Sequence, residues 1–247
     1  FPYTTLFRSS VLLSKQAAKQ AEDKKNEIIM YLAHDIRTPL TTVIGYLSLL
    51  HEAPDMPENQ KEKYIKVALD KADRLEKLIN ELFEVTKYNA HTVVLKRETV
   101  DLHCLIAQVI DEIYPTLSAN GNTVVFKADD DLSVTGDPEK LARVFSNLLR
   151  NAAAYSYSKT EISISAKKSD RNIQIIFENH GKTIPPEQLD SIFEKFSRLD
   201  EARLSDTGGA GLGLSIAEEI IHLHGGTITA SSKNETISFM IMLPISA

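Results

Sequence analysis

The chain has 247 residues, and its 28 lysine and arginine residues are outnumbered by 34 aspartate and glutamate residues, so the formal net charge is −6. This acidic excess argues against a broad nucleic-acid-binding face, although a local basic patch would be compatible with it. The single cysteine, Cys104, excludes an intrachain disulfide framework, and no apolar run approaches the roughly 18 residues that cross a bilayer. A hydrophobic share of 43% can build packed cores in one or two domains, so we expect a folded, soluble, cytoplasmic chain.

The first ten residues, FPYTTLFRSS, do not have the features of a signal peptide, since they lack a basic leader, a sustained apolar run and a small-residue cleavage site. We interpret residues 1–10 as a foreign or disordered leader. On this interpretation the natural N-terminus lies further upstream.

Residues 11–90 have the pattern of an antiparallel helical hairpin. Two apolar series advance in steps of three and four, and the stretch Ala53–Pro57 separates them. A single hairpin cannot bury two apolar seams, so we expect two copies to pair as a four-helix bundle in a homodimer. Docking of the hairpin onto the rest of its own chain is the alternative. The two series are Ile29, Leu32, Ile36, Leu40, Val43, Leu47 and Leu50, and Ile65, Ala68, Ala72, Leu75, Ile79 and Leu82.

Residues 91–247 alternate short β-rich runs with helical runs, which predicts an α/β sandwich with one sheet covered on one side. Between Asn179 and Gly213 the periodicity is weak, and a loop of that length is typically a functional lid or a disordered segment. The predicted strands are Thr92–Leu95, Asn122–Ala128, Glu161–Lys167, Asn172–Glu178, Thr227–Ser231 and Thr236–Leu243, and the predicted helices are Leu102–Ser118, Pro138–Tyr155 and Leu212–His224.

A first candidate site surrounds His34, which lies off the Leu32 and Ile36 seam and is therefore predicted to face solvent. Asp35 follows it directly, Arg37 lies three residues on, and Thr38 is one turn away on the same face. Pro39 should bend the helix beside the histidine. A neutral imidazole is a nucleophile near neutral pH, and an adjacent carboxylate can take up its proton. A lone surface histidine would carry no function, but this constellation is specific.

A second candidate site begins with Asn147 and Asn151, which project from one side of a helix whose other side is apolar. Their amide oxygens could bind Mg²⁺, although this pair alone is a weak signal. Tyr155, one turn further on, could lie against a base or could simply pack.

Two further runs contribute to this second site. After an apolar strand, Asn179 and Gly181 could approach the edge of an adenine. The run Gly208–Leu214 directly precedes a helix, where glycines and the free N–H groups of the helix start can surround phosphate oxygens.

These motifs, in this order, resemble those of bacterial sensor histidine kinases. The box at His34–Pro39 is similar to their phospho-acceptor box, and the other runs, together with Phe193–Phe196, resemble the N, G1, F and G2 boxes of their Bergerat-type (GHKL) ATP-binding domain. The resemblance covers about Lys25 to Ile245. Within the family the sequence is similar to the vancomycin-resistance sensor kinases of the VanS type, on the runs Ile192–Asp200, Thr207–Leu214 and His224–Ile228.

The resemblance implies a two-component signal-transduction enzyme that uses ATP and Mg²⁺. It autophosphorylates on His34 with Asp35 as the base, passes the phosphoryl group to an aspartate of a response regulator, and acts as a phosphatase toward that partner, with Thr38 orienting water. Asn151 and Asn147 would bind the metal ion. The remaining ATP-binding residues would be Tyr155, Asn179, Gly181, Thr183, Arg198, Gly209, Gly211, Leu212, Gly213 and Leu214. The resemblance also implies a bacterial membrane anchor upstream, with this part on the cytoplasmic side.

Three positions depart from the family pattern. Asn179 replaces the usual adenine-reading carboxylate, Thr183 replaces a glycine, and Ala154 replaces a common Lys or Arg. A neutral acceptor is weaker than a carboxylate by about 1 kcal/mol, so we expect ATP binding to be intact but weak. Two other functions fit parts of the pattern: a Bergerat-type ATPase or clamp without phosphotransfer, and a phosphatase or scaffold with weak kinase activity.

Two other features suggest no site. His222 and His224 do not face each other on a helix, which argues against a metal site. Cys104 is predicted to pack on the apolar face of its helix rather than to react.

Overall fold

The computed structural model describes residues 19, 30, 33, 35–89, 94–195 and 211–245, and of residues 81–89 only the side chain of Phe83 is included. The chain divides into two compact units with a boundary between Asn80 and Glu81. The boundary predicted between residues 90 and 91 stays a prediction. In the described part of the chain, no helix is both long enough and apolar enough to cross a membrane.

The N-terminal unit contains helix α1 (residues 35–52) and most of helix α2 (Glu58–Asn89). Helix α1 continues through Pro39, whose ring is buried, while the bend predicted there stays a prediction. The turn between the helices contains Pro54 and Pro57, and the carbonyl of Pro57 accepts the first hydrogen bonds of α2. Proline suits this place because a first helical turn leaves its N–H groups without intrahelical partners anyway.

The two hairpin helices contact each other through the rings of Tyr46 and Tyr64, whose centroids are 5.1 Å apart. Ala68 and Leu78 are buried, but several residues of the predicted seams are not: Leu40, Leu47 and Ile65 are 42%, 53% and 54% exposed. The described part of the hairpin therefore has exposed apolar side chains on both helices.

The C-terminal unit is an α/β sandwich, as predicted. Its main strands are β2 (Thr123–Ala128), β4 (Glu161–Lys168), β5 (Asn172–His180), β6 (Thr227–Lys233) and β7 (Thr236–Pro244), and its main helices are α3 (Leu102–Ala119), α4 (Pro138–Tyr155) and α6 (Gly213–Leu223). These five strands form one sheet in the order β2-β4-β5-β7-β6, in which β2 pairs with β4 in parallel and the other pairs are antiparallel. Helices α3, α4 and α6 pack on the sheet.

The core lies between the helices and one face of the sheet. In β5 the residues at every second position are buried and the others are partly exposed, which is the pattern of a sheet with one covered face. Phe145 of α4 stacks on Phe177 of β5, with ring centroids 6.0 Å apart. Two aspartates cap helices: Asp101 accepts hydrogen bonds from the first turn of α3, and Asp137 accepts one from the first turn of α4, directly before Pro138.

A second, two-stranded antiparallel sheet pairs β1 (Glu98–Asp101) with β3 (Ser133–Gly136). Neither strand was predicted from the sequence, because four residues are too few to show an alternating pattern. The strand predicted at Thr92–Leu95 is wrong at residues 94 and 95, which have no regular structure, and residues 92 and 93 lie outside the described residues.

The weakly periodic stretch after β5 contains short elements of regular structure. Helix α5 (Pro186–Leu189) is followed by a 3-10 turn at Ser191–Phe193, and α6 begins at Gly213. The ring of Phe193 meets that of Phe239 in β7 edge to face, with centroids 6.3 Å apart. The contact of Phe193 with β7 therefore holds the 3-10 turn against the sheet.

Candidate functional site

The side chains of Asn147, Asn151 and Tyr155 occupy one side of α4 at intervals of four residues, and all three are half-buried. The row borders the buried face of the helix, to which the fully buried Leu141, Val144, Phe145 and Leu148 belong. Val144 and Leu148 lie three residues before Asn147 and Asn151, so the row runs along the edge of the core, which agrees with its half-burial.

Asn147 connects this row to the start of α6. Its Nδ2 donates a hydrogen bond of 2.9 Å to the carbonyl of Gly213, and a Cβ built on Gly213 would lie 3.6 Å from the Asn147 side chain. Because the nitrogen is used in this bond, the Oδ1 atom of Asn147 remains as an acceptor or a metal ligand. Two motifs 66 residues apart in the sequence thus meet in the fold.

The start of α6 has the features of an anion-binding helix end. Gly211 has a φ of 74°, a left-handed conformation that favours glycine, and the fully buried Leu212 occupies the N-cap position without a side-chain cap. Ser215 does not cap the helix either, since its hydroxyl donates to the Leu212 carbonyl. Among the described residues, no side chain caps the N–H groups of the first turn.

Gly181 brings the end of β5 against the end of α4. A Cβ on Gly181 would lie 2.3 Å from the backbone oxygen of Tyr155, so only glycine fits. The contact is reinforced by a bridge between Ser156 and Gly181 and by a 2.8 Å hydrogen bond from the Tyr157 N–H to the His180 carbonyl. Tyr155 and the run from Asn179 to Gly181 are consequently neighbours.

Asn179 is 3% exposed, and its Nδ2 has no hydrogen-bond partner in the part of the chain that the structure describes. Thr183, in contrast, is exposed, and its hydroxyl accepts a 2.9 Å hydrogen bond from the Glu235 N–H in the turn between β6 and β7. Of these two predicted ATP-binding residues, Thr183 has its hydroxyl in a hydrogen bond within the fold, whereas the Nδ2 donor of Asn179 makes no hydrogen bond to the described residues.

Three predicted site residues, His34, Arg198 and Gly209, lie outside the described residues. On α1, Asp35 is half-buried, and Arg37 and Thr38 are exposed; the Thr38 carbonyl accepts a 3.0 Å hydrogen bond from the Thr42 hydroxyl. The structure therefore brings together the residues of the α4, β5 and α6 motifs, while Asp35, Arg37 and Thr38 belong to the other unit.

Comparisons with known proteins agree with both parts of this description. Residues 24–91 match the family described as His Kinase A (phospho-acceptor) domain, and residues 136–247 match the family described as Histidine kinase-, DNA gyrase B-, and HSP90-like ATPase. Over 93% of the chain, the sequence is 56% identical to the sensor protein VanS of Enterococcus faecium, and over 96% it is 46% identical to the sensor protein VanSC of Enterococcus gallinarum. The chain belongs to the sensor histidine kinase family.

Solved structures of sensor histidine kinases have the same fold. Histidine kinase AdeS of Acinetobacter baumannii aligns with 86% of this chain and 98% of its own, with a TM-score of 0.71 at 23% identity. Histidine kinase ThkA, solved in complex with the response regulator protein TrrA, aligns with 89% of this chain and 61% of its own, with a TM-score of 0.68 at 26% identity. The chain spans 60% and 65% of the lengths of VanS and VanSC, respectively.

The C-terminal unit has a buried polar contact that was not predicted from the sequence. His224, 2% exposed at the end of α6, accepts a 3.0 Å hydrogen bond at Nε2 from the Asp137 N–H, and its Nδ1 lies 2.7 Å from the Ile220 carbonyl, to which it can donate. Asp137 also accepts a hydrogen bond from the Lys96 N–H. Burial lowers the pKa of His224. This contact links the end of α6 to the start of α4. The sequence of Asp137–Pro138 indicated a helix start, but it did not indicate that His224 would be hydrogen-bonded to it.

The prediction that Cys104 packs in the core is wrong. The residue is exposed, and its thiol donates a 3.2 Å hydrogen bond to the capping carboxylate of Asp101. This hydrogen bond raises the pKa of the Cys104 thiol, which disfavours the reactive thiolate. The reason for the error is that the apolar face of α3 lies to one side of this position, on Leu102 and Ile106.

Proposed function

We propose that this protein is an ATP:protein-histidine phosphotransferase that phosphorylates itself on His34 and passes the phosphoryl group to an aspartate of a response regulator. The observation that carries the proposal is the hydrogen bond from Asn147 to the Gly213 carbonyl, because it assembles the polar row of α4 and the glycine-rich start of α6 into one site. Helix-start N–H groups without a side-chain cap among the described residues, beside carboxamide oxygens, suit a nucleoside triphosphate with a divalent cation.

Within this site the glycine run Gly209, Gly211 and Gly213 would surround the phosphates. Asn151 and Asn147 are the proposed Mg²⁺ ligands through their Oδ1 atoms, which fits a hard cation that keeps several waters and shares phosphate oxygens. The metal ion would neutralise charge on the phosphates. Tyr155 and Asn179 would contact the base, and Arg198 would meet the phosphates.

The proposed transfer is an in-line displacement. A ring nitrogen of His34 forms a bond to the γ-phosphorus of ATP while the bond from that phosphorus to the bridging oxygen breaks, so that ADP leaves. Asp35 holds the ring N–H and takes up its proton as the imidazole gains the phosphoryl group. In the proposed phosphatase reaction, Thr38 would orient the water molecule that removes the phosphoryl group from the aspartate of the response regulator.

The test is incubation of the protein with γ-labelled ATP, followed by treatment of the labelled protein with acid and with base. We expect a label that survives base and is lost in acid, as phosphohistidine is. His34→Gln should lower labelling to background while ATP binding persists. His51→Gln changes an exposed histidine of α1, is the matched control and should label normally.

Other outcomes would identify other functions. Acid-labile label retained by His34→Gln contradicts the assignment of the phosphorylated residue. Steady ATP hydrolysis with no labelled protein would indicate an ATPase or clamp instead, and dephosphorylation of a response regulator without labelling would indicate a phosphatase or scaffold.

We further propose that the protein is a homodimer through the exposed apolar side chains of its hairpin. Leu40, Ile44 and Leu47 lie at intervals of four and three residues on α1 and are 42%, 56% and 53% exposed, while Ile65 and Leu69 of α2 are 54% and 60% exposed. Exposed apolar side chains spaced in this way favour association, because full burial of a large apolar side chain contributes about 1.5–3 kcal/mol.

The likeness to VanS and VanSC supports two finer proposals: that the protein signals in antibiotic resistance, and that it is anchored in the bacterial cell membrane with this part on the cytoplasmic side. The solved complex of ThkA with TrrA supports a response regulator as partner. Recovery of the full protein in the soluble fraction of cells that make it would contradict the anchor.

A further inference from the structure

Side-chain hydrogen bonds join α6 to α4 at both ends of α6. At one end, Nδ2 of Asn147 donates at 2.9 Å to the carbonyl of Gly213, the first residue of α6. At the other end, Nε2 of His224, the residue after α6, accepts at 3.0 Å from the N–H of Asp137, the residue before α4. Helix α6 therefore runs antiparallel to α4, and both of its ends are hydrogen-bonded to it or to its N-cap.

The two hydrogen bonds are separated by nearly the same length of helix on both sides. Asp137 and Asn147 are ten residues apart, which is about 15 Å along a helix, and Gly213 and His224 are eleven residues apart, which is about 16 Å. Apolar contacts between the helices are not directional, so the hydrogen bonds at the ends add a directional constraint on the position of α6 along α4. The fully buried residues between these ends are apolar: Leu141, Val144 and Phe145 on α4, and Ala217, Ile220 and Ile221 on α6.

The ring of His224 is held to α6 by several contacts. The backbone N–H of His224 donates to the carbonyls of Ile220 and Ile221, and its Nδ1 lies 2.7 Å from the Ile220 carbonyl. The backbone before α4 approaches the ring closely, since a Cβ built on Gly136 would lie 2.9 Å from Cδ2 of His224. A change in the contact between the ring and Asp137 is therefore passed to α6 and is not absorbed by a rotation of the side chain.

We propose that His224 is a positioning residue of the nucleotide site, because its hydrogen bond to Asp137 holds α6 where the N–H groups of its first turn can meet phosphate oxygens. The proposal rests on the proposed nucleotide-binding function of this site. Anion binding at a helix start depends on N–H groups that point at the ligand, so a displacement of α6 weakens it. His224 itself is about 16 Å of helix away from that end, and it acts only through α6.

Protonation of His224 would break this hydrogen bond. The neutral ring accepts at Nε2 and can donate from Nδ1 to Ile220, whereas a protonated ring has a donor at both nitrogens, so its Nε2–H would face the N–H of Asp137. The charged groups that act on the ring are the Asp137 carboxylate before α4 and the Arg97 guanidinium before β1, and its own helix carries His222. The nucleotide should therefore bind more tightly to the protein with a neutral His224.

This preference gives the proposal a signature in the pKa of His224. Because binding is reciprocal, a nucleotide that prefers the neutral ring lowers the pKa of His224 further. The negative charge of the nucleotide, acting by attraction alone, would instead raise the pKa of His224. The direction of the change therefore separates positioning through α6 from a direct electrostatic effect.

The first test measures the pKa of His224 in the whole chain from the NMR shifts of its ring, with and without saturating ADP and Mg²⁺. ADP occupies the site without turnover, and His224→Gln assigns the ring signals. We expect the nucleotide to lower the pKa of His224. A raised or unchanged pKa in the protein that binds ADP overturns the inference, and this outcome needs no variant that could fail to fold.

The second test compares the Kd for ADP with Mg²⁺ among folded variants by calorimetry at about pH 7.5, where the ring is neutral. His224→Leu leaves the Asp137 N–H without this acceptor and should raise the Kd by about fivefold or more, whereas His224→Gln offers a carbonyl oxygen in place of Nε2 and should recover most of the loss. His222→Gln, at the exposed end of the same helix, should leave the Kd unchanged. Val109→Ala removes buried volume from α3 and should lower stability without changing the Kd.

The outcomes separate this inference from the proposed function. An unchanged Kd in folded His224→Leu overturns the inference alone, and so does an equal rise in His224→Leu and His224→Gln, since the acceptor would then have no effect. A rise in Val109→Ala as large as that in His224→Leu also overturns it, because binding would then follow stability instead of the position of α6. Absence of ADP binding by the unaltered protein overturns both the inference and the proposed function.

Discussion

Two buried polar side chains of the C-terminal unit, His224 and Asn179, differ in how their nitrogens are used. Both ring nitrogens of His224 have backbone partners, whereas Nδ2 of Asn179 has none. A fully paired side chain of this kind stabilises the fold. An unpaired buried atom does not by itself indicate a binding role, since Oδ1 of the buried Asn122 also has no hydrogen-bond partner among the described residues while its Nδ2 holds the Tyr157 and Thr160 carbonyls.

His224 should make the stability of the C-terminal unit depend on pH. Burial lowers its pKa, as does the charge of Arg97, and the hydrogen bond to Ile220 and the charge of Asp137 oppose this. Because the folded pKa lies below the unfolded value of about 6.5, the neutral ring's contribution is complete above that pH and is lost as the pH falls through the folded pKa. We expect the free energy of unfolding in urea to decrease between pH 7 and pH 5.

The variant His224→Gln should be less stable at pH 7 and should show a smaller decrease over this range. His222→Gln is the control, since His222 is exposed on the same helix end. Equal pH dependence in the unaltered protein and in His224→Gln would assign the titration to another group.

The polar residues of the candidate site could be predicted from the sequence, but their partners could not. The spacing of Asn147 and Asn151 indicated one helix face, which the structure has. Nothing in the spacing indicated that the nitrogen of Asn147 holds the Gly213 carbonyl, because that contact depends on how α4 and α6 pack. Cys104 was misplaced for a related reason, since a small shift in position on a helix separates a buried face from an exposed one.

Helices α3, α4 and α6 were predicted to within about one residue, and the long strands to within about two residues at each end. Asp–Pro at 137 and 138 marks the start of α4 directly, and the alternation of β5 continues over nine residues. Strands β1 and β3 were missed because their pairing with each other, and not a local pattern, makes them strands.

The junction between α4 and β5 should not tolerate a side chain at position 181. Gly181→Ala places a Cβ against the Tyr155 backbone oxygen, which cannot move without displacing the helix end. We expect a loss of about 1–3 kcal/mol in the stability of the C-terminal unit and weaker nucleotide binding, measured by urea unfolding and calorimetry.

Gly45→Ala is the control for Gly181→Ala, and it is expected to have the opposite effect on stability. Gly45 is an exposed helical residue, and nothing lies within 4 Å of the position that an alanine Cβ would take, so alanine should stabilise the hairpin by up to about 1 kcal/mol. A Gly181→Ala protein as stable as the unaltered one would show that the close approach to Tyr155 relaxes without cost.

Association of two copies should depend on the exposed apolar side chains of α1 and α2. Ile44→Lys places a charge among these side chains and should convert a dimer to a monomer, as measured by light scattering during size-exclusion chromatography. Thr41→Lys adds the same charge at an exposed position nearby on the same helix, outside the series of Leu40, Ile44 and Leu47, and should leave the dimer intact. If Ile44→Lys remains dimeric, these side chains are covered by something other than a second hairpin.

Because of the position of β7 in the sheet, the C-terminal unit completes its fold later in synthesis than the hairpin does. Strand β7 lies between β5 and β6, so the sheet stays in two pieces until residues 236–244 have left the ribosome. The hairpin, in contrast, is complete by Asn89. Nascent chains on neighbouring ribosomes can therefore pair through their hairpins before either has a finished nucleotide site. Such a sequence of events would favour dimers of two copies made from one messenger RNA.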